Sequence, residues 1–159
     1  HSKSKFYLIC GSDDYINLNT LKSIYINTLD DVNVFPVAIN NKLHYPLRFI
    51  FTDAHKSFIT EHSVGTIFRT ELHEIFGFYD ENLTVASDAK FLLLLKSQNI
   101  SFNLFDKSLG SYSTFGTSSS RYILGQTELL KSMFIYYPFI SFFYFPFYLF
   151  RILRNFLKF

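Results

Sequence analysis

The stretch FYLICGSDDYINLNTLKSI, residues 6–24, decides how the rest of the chain is read. An apolar run of strand length, residues 6–10, ends in Gly11 and Ser12 and is followed at once by two adjacent carboxylates, Asp13 and Asp14. Such a run reads as a strand buried on both faces. Beyond the acids, Leu18, Leu21, Ile24, Tyr25 and Leu29 recur at helical spacing, which predicts a helix over residues 18–29. Neighbouring carboxylates repel, so both must be solvated or paired. One reading makes them a turn and a helix cap, roles that Asp fills well. The other makes them a metal site at the carboxyl end of a strand, where open α/β sheets bind their ligands. Mg²⁺ and Mn²⁺ take carboxylate oxygens, and Mg²⁺ commonly uses one or two of them together with substrate phosphates. Gly11 and Ser12 would let the backbone approach such a ligand closely.

Outward from this stretch, strand-like and helix-like segments alternate. Residues 32–39 (VNVFPVAI) predict a strand that Pro36 makes an edge or irregular one. Residues 47–51 predict another, 53–63 a loop, and 64–68 a short strand leading into a helix over RTELHEIF. Residues 88–97 (DAKFLLLLKS) predict a short helix with an almost wholly apolar body. SFNLF and LGSYS read as short strands, TFGTSSS as a Gly/Ser loop, and residues 120–137 as a helix. The alternation predicts an α/β layered domain.

The 159 residues are enough for one domain with a real core. Opening at His1 with no cleavable-signal pattern, the chain reads as a piece of something longer. Cys10 is the single cysteine, which excludes a disulfide framework and a cysteine zinc site and points to a reducing compartment. The net charge of +2 hides an asymmetry: residues 129–159 carry Lys131, Arg151, Arg154 and Lys158 and no acid, a balance of +4, which leaves −2 for the rest. A weakly acidic body with a basic, apolar end does not suit nucleic acid, which calls for basic residues spread over a binding face. It suits contact with an anionic membrane surface.

The order GSDDYINLNTL, then RTELHEIFGFYDENLTVASDAKFLLLL, then FGTSSS resembles the second half of the family 2 glycosyltransferases of the GT-A fold, over about residues 5–137. The resemblance implies a partial GT-A domain, Rossmann-like, that lacks its N-terminal βαβ half and ends in an apolar helical tail over residues 138–159. It implies an inverting transfer of a sugar from a nucleotide-diphosphate donor to a hydroxyl of a glycan or lipid-linked acceptor in bacterial-type surface polysaccharide synthesis. Without the missing half, the fragment alone is expected to be inactive. On the matching positions, Asp14 would hold Mg²⁺ or Mn²⁺, with Asp13 on the metal's waters or on the sugar–ribose side. Ser12 would face the donor, and so would His62, for which a hydrogen-bonded, half-buried structural role is the alternative. Asp88 would be the general base, with a helix cap as its structural alternative. The chain departs from the family at Phe78, at Tyr79, and at Ala89 and Lys90, where an aromatic and a second acid are usual. These departures keep open a non-catalytic, carbohydrate- or partner-binding relic of the fold. His44, His55 and His73 have no such support.

The run MFIYYPFISFFYFPFYLF, residues 133–150, holds eighteen residues without a charge and is followed by RILRNFLKF. A clean crossing needs about twenty apolar residues, and Pro138 and Pro146 are expected to break a regular helix. Insertion flush with the headgroups fits the segment better, which predicts a cytoplasmic protein held peripherally on the inner face of the membrane. The alternative is an apolar segment that covers a missing N-terminal half or a partner subunit; the tail alone would also suit a membrane-embedded structural protein, but the polar first 128 residues argue against that.

Overall fold

A computed structural model of the chain describes residues 4–40, 42–45, 62–112 and 121–157. The chain is mixed α/β and forms two compact units. The first takes the described residues up to Phe78 and residues 99–112; the second takes residues 79–98 and 121–157.

The first unit contains two four-stranded mixed sheets. One runs in the order β1 (Phe6–Leu8), β6 (Thr66–Arg69), β3 (Val32–Val34), β7 (Phe102–Leu104); the other in the order β2 (Tyr15–Ile16), β8 (Gly110–Ser111), β4 (Val37–Ile39), β5 (Lys42–His44). Among the described residues only β3 with β7 and β4 with β8 are parallel. The strand buried on both faces is therefore β3, every residue of which is buried, and not the opening run. β1 lies at an edge, paired only with β6 among the described residues; it is half-buried, and Cys10 is exposed.

Residues 32–39 are two strands in two sheets. Pro36 sits at the crossing, where a missing amide breaks no ladder, so the proline marks a change of sheet and not an edge. Around this crossing Phe35, Ile67 and Leu109 form a buried core cluster, with Leu8, Leu21, Ile24, Leu29 and Phe105 packed against it. The predicted 18–29 helix is shorter: α1 (Leu18–Ser23) ends at the extended Ile24, and a 3-10 turn, Ile26–Thr28, follows. Asn17, not an aspartate, caps α1, its Oδ1 accepting from the amides of Asn19 and Thr20. Downstream of β6 comes α2 (Glu71–Phe76).

β8 fits between β2 and β4 only because residue 110 has no side chain. A Cβ there would meet the Tyr15 carbonyl oxygen at 2.5 Å and Val64 Cγ2 at 2.8 Å. Backbone paired in a sheet cannot give way, so Gly110→Ala is expected to destabilise the fold by about 1–3 kcal/mol, measurable as a lowered midpoint in urea at unchanged m-value.

The second unit packs α3 (Ser87–Ser97) on α4 (Tyr122–Tyr136), and α4 on α5 (Pro138–Phe156). Its buried residues include Phe91, Leu92, Leu93 and Leu95 of α3 and Leu129, Leu130 and Met133 of α4. Of the two tail prolines only Pro138 ends a helix. It stands at the first position of α5 after Tyr137, whereas Pro146 lies inside a continuous helix. Among the described residues, no helix is long and apolar enough to cross a membrane. The expected strand at 47–51 and the TFGTSSS loop lie outside the described residues, as does most of the 53–63 loop.

Candidate functional site

Past β1 the chain turns through residues 11–14, and the turn closes on itself. The Asp14 amide donates to the Gly11 carbonyl at 3.3 Å, and the Gly11 amide donates to Asp14 Oδ2 at 2.6 Å. A Cβ at residue 11 would come within 3.0 Å of that oxygen. The close approach that Gly11 permits is thus to the Asp14 carboxylate itself. Ser12 and Asp13 are exposed on the turn. The Asp14 side chain is buried, 1 % exposed, and its Oδ1 has no hydrogen-bond partner among the described residues. A desolvated carboxylate oxygen without a partner is costly and calls for a donor or a cation. The two acids therefore differ: Asp14 points inward and is incomplete, while Asp13 is solvated.

His62 is brought to the same place. Its Nδ1 lies 3.6 Å from Asp14 Oδ2 and is also the acceptor for the Val64 amide at 3.4 Å, opening the 3-10 turn Ser63–Gly65. With the proton on Nε2, Nδ1 accepts from the Val64 amide; a proton on Nδ1 would make that nitrogen a donor toward Asp14 instead. The ring is stacked on Tyr112 with centroids 4.2 Å apart and planes 14° from parallel. Tyr112, just past β8, is a member of the site that the sequence reading did not single out. Its position after a two-residue strand carries no periodicity that would have flagged it. No group of three or more His, Cys, Asp or Glu side chains is gathered to hold a metal among the described residues.

Asp88 belongs to the second unit. It is not the cap of α3, which begins at Ser87 after a non-capping Ala86; it sits inside the first turn, and its Oδ1 accepts from the Ala89 amide at 2.7 Å. The acid that serves the chain entering α3 comes from α4. Glu128, 7 % exposed, accepts from the amide of Thr84 at Oε1 and from those of Val85 and Ala86 at Oε2, each at 2.9 Å. Burial, the largest single influence, pushes this carboxyl up. The amides of Thr84, Ala86 and Val85, with Lys131 nearby, outweigh it and hold the group below the ordinary Glu range.

Lys90 is paired with Asp80 of the GFYDE segment. The Lys90 ammonium, with the backbone and side-chain N–H groups of Asn82, holds the Asp80 carboxyl down at about 2. Lys90 thus fastens the loop before α3 to the helix itself. His73 is structural: it bonds the Tyr7 hydroxyl through Nε2 and the Gly77 carbonyl through Nδ1.

In comparisons with known proteins, no protein-family model, no curated protein and no solved structure matches this chain.

Proposed function

We propose that the chain is the C-terminal part of an inverting glycosyltransferase, which moves a sugar from a nucleotide-diphosphate donor to a hydroxyl acceptor in surface-glycan synthesis. The observation that carries this reading is Asp14: a buried carboxylate with one oxygen pinned by the Gly11 amide and the other unpartnered among the described residues, beside His62. A single incomplete inward carboxylate fits Mg²⁺ or Mn²⁺ arriving with a diphosphate better than an all-protein cage, since such ions keep several waters and phosphate oxygens. When bound, the ion would neutralise charge on the departing diphosphate as a Lewis acid. Asp14 would hold it, and the solvated Asp13 would act on its waters or on the donor's ribose side. Ser12 would offer its hydroxyl to the donor from the same turn. His62, backed by Tyr112, would present Nε2 to the sugar. Asp88 would take the acceptor's proton. This reading places the protein peripherally on the inner face of the cell membrane, with a glycan or lipid-linked acceptor and no nucleic acid.

Calorimetry on the full-length protein tests it. Mn²⁺ is expected to bind only with a nucleotide diphosphate present, and Asp14→Ala to abolish that binding. Equal binding by the variant overturns the assignment. One observation favours a second reading, a non-catalytic carbohydrate- or partner-binding relic: the Lys90 that replaces the second acid after Asp88 is engaged in a structural ion pair.

A further inference from the structure

Helix α5 is amphipathic in the inverted sense. Its half-buried side is the polar one. Ser141 is 0 % exposed, Tyr148 shares a hydrogen bond with Thr127 of α4 at 2.9 Å, and the Arg151 guanidinium donates to the hydroxyls of Tyr122 (3.1 Å) and Tyr144 (3.3 Å). Its outer side carries Phe139, Phe142, Phe143, Phe150, Leu153 and Leu157, all exposed, with Phe139 at 85 % and Leu157 at 83 %. Steps of three and four residues put these on one stripe, with Pro146 between them. A stripe of this kind left to water marks a contact surface.

We infer that this stripe docks α5 flat onto a bilayer rich in anionic phospholipid, an inference that does not rest on the sugar-transfer reading. Three features select lipid over protein. The stripe offers no hydrogen-bonding side chain, whereas protein interfaces carry about one hydrogen bond per 100–200 Å². Arg154, exposed, borders the stripe one turn after Phe150, and no acid occurs anywhere in residues 129–159. Pro146 takes away the amide that would bond the Phe142 carbonyl, so that carbonyl needs water, which the headgroup layer supplies and the hydrocarbon core does not. The 19-residue helix then lies in the interfacial plane for roughly 28 Å.

Flotation of the full chain with vesicles of phosphatidylglycerol and phosphatidylcholine, against pure phosphatidylcholine, tests the docking. The chain is expected to float with the mixed vesicles. Changing Phe139, Phe142 and Phe150 together to Ser should lower partitioning by about ten-fold or more while leaving the thermal midpoint unchanged, because all three side chains are exposed. Arg154→Glu should weaken binding to the mixed vesicles by about five-fold or more and leave binding to neutral vesicles unaltered. Flotation of the triple variant equal to the parent overturns the inference. So does a parent that stays in solution and self-associates on a sizing column through a contact that the triple variant abolishes, which would make a second copy the occupant.

Discussion

Glu128→Ala is expected to lower stability by about 3–5 kcal/mol, and Glu128→Gln by about 1–3 kcal/mol. The carboxylate is the acceptor for three successive amides of the chain entering α3, at 2.9 Å each. Alanine would remove that acceptor from a buried place, and a buried donor without a partner is more destabilising than the bond was stabilising. Glutamine keeps the shape but replaces one oxygen by a donor that faces an amide. The pH dependence has a definite sign. The folded carboxyl lies below its unfolded value near 4.5, so its contribution is fully present above pH 4.5 and is lost as the pH falls through the lower folded value. Urea titrations of the parent should show stability declining over that acid window. Those of Glu128→Gln should be flatter there, and the gap between the two proteins should narrow. A Glu128→Ala variant within about 1 kcal/mol of the parent would show the amides rehydrated and the bond set dispensable.

Glu128 also shows where sequence reading stops. Its partners lie 42 to 44 residues earlier, and nothing in TELLKS distinguishes an acid that caps another helix from one on a solvated face. What periodicity reports is burial, and here it held for three of its five residues, since Leu18 and Tyr25 are exposed. Leu21, Ile24 and Leu29 all pack on the Phe35, Ile67 and Leu109 core. Only Leu21 of the three lies in α1, because Asn17 starts a helix that the extended Ile24 ends two turns later. Long apolar runs bounded by polar residues were legible as α3 and α4 to within a residue or two. Residues 6–10 read as a strand buried on both faces and 32–39 as an edge or irregular one, yet β1 is a half-buried edge and β3 a fully buried inner strand. Strand order is set by partners distant in sequence, Arg69 to Thr66 among them. The two tail prolines show the same limit: Pro138 ends a helix, while Pro146, similarly flanked by aromatics, lies inside α5, a helix that packs on α4. At the site, the Gly-Ser-Asp-Asp turn was legible as a place of interest. That Asp14 alone turns inward depends on the Gly11 amide 2.6 Å from its carboxylate, a contact that composition does not encode.

The sharpest separation of enzyme from relic is expected from Asp88→Asn, assayed in the full-length protein. Asparagine keeps the size of the side chain and the oxygen that accepts from the Ala89 amide, but it cannot take a proton. Its fold should be nearly intact: the charge in the first turn of α3 interacts with the helix dipole by only about 0.3–1 kcal/mol, and the amides before the helix are held by Glu128, not by Asp88. General-base assistance is commonly worth about 10²–10⁴-fold, so turnover should fall by about two decades or more while nucleotide-dependent Mn²⁺ binding at Asp14 is unchanged. That combination, a lost rate on a retained fold and a retained donor site, is what loss of proton acceptance predicts and loss of the Ala89 bond does not, because Asn keeps that bond. A rate within about threefold of the parent would reject Asp88 as the base. A full-length parent that transfers no sugar from any nucleotide donor would favour the relic, and Asp88 would then be a first-turn acid with a structural role in α3.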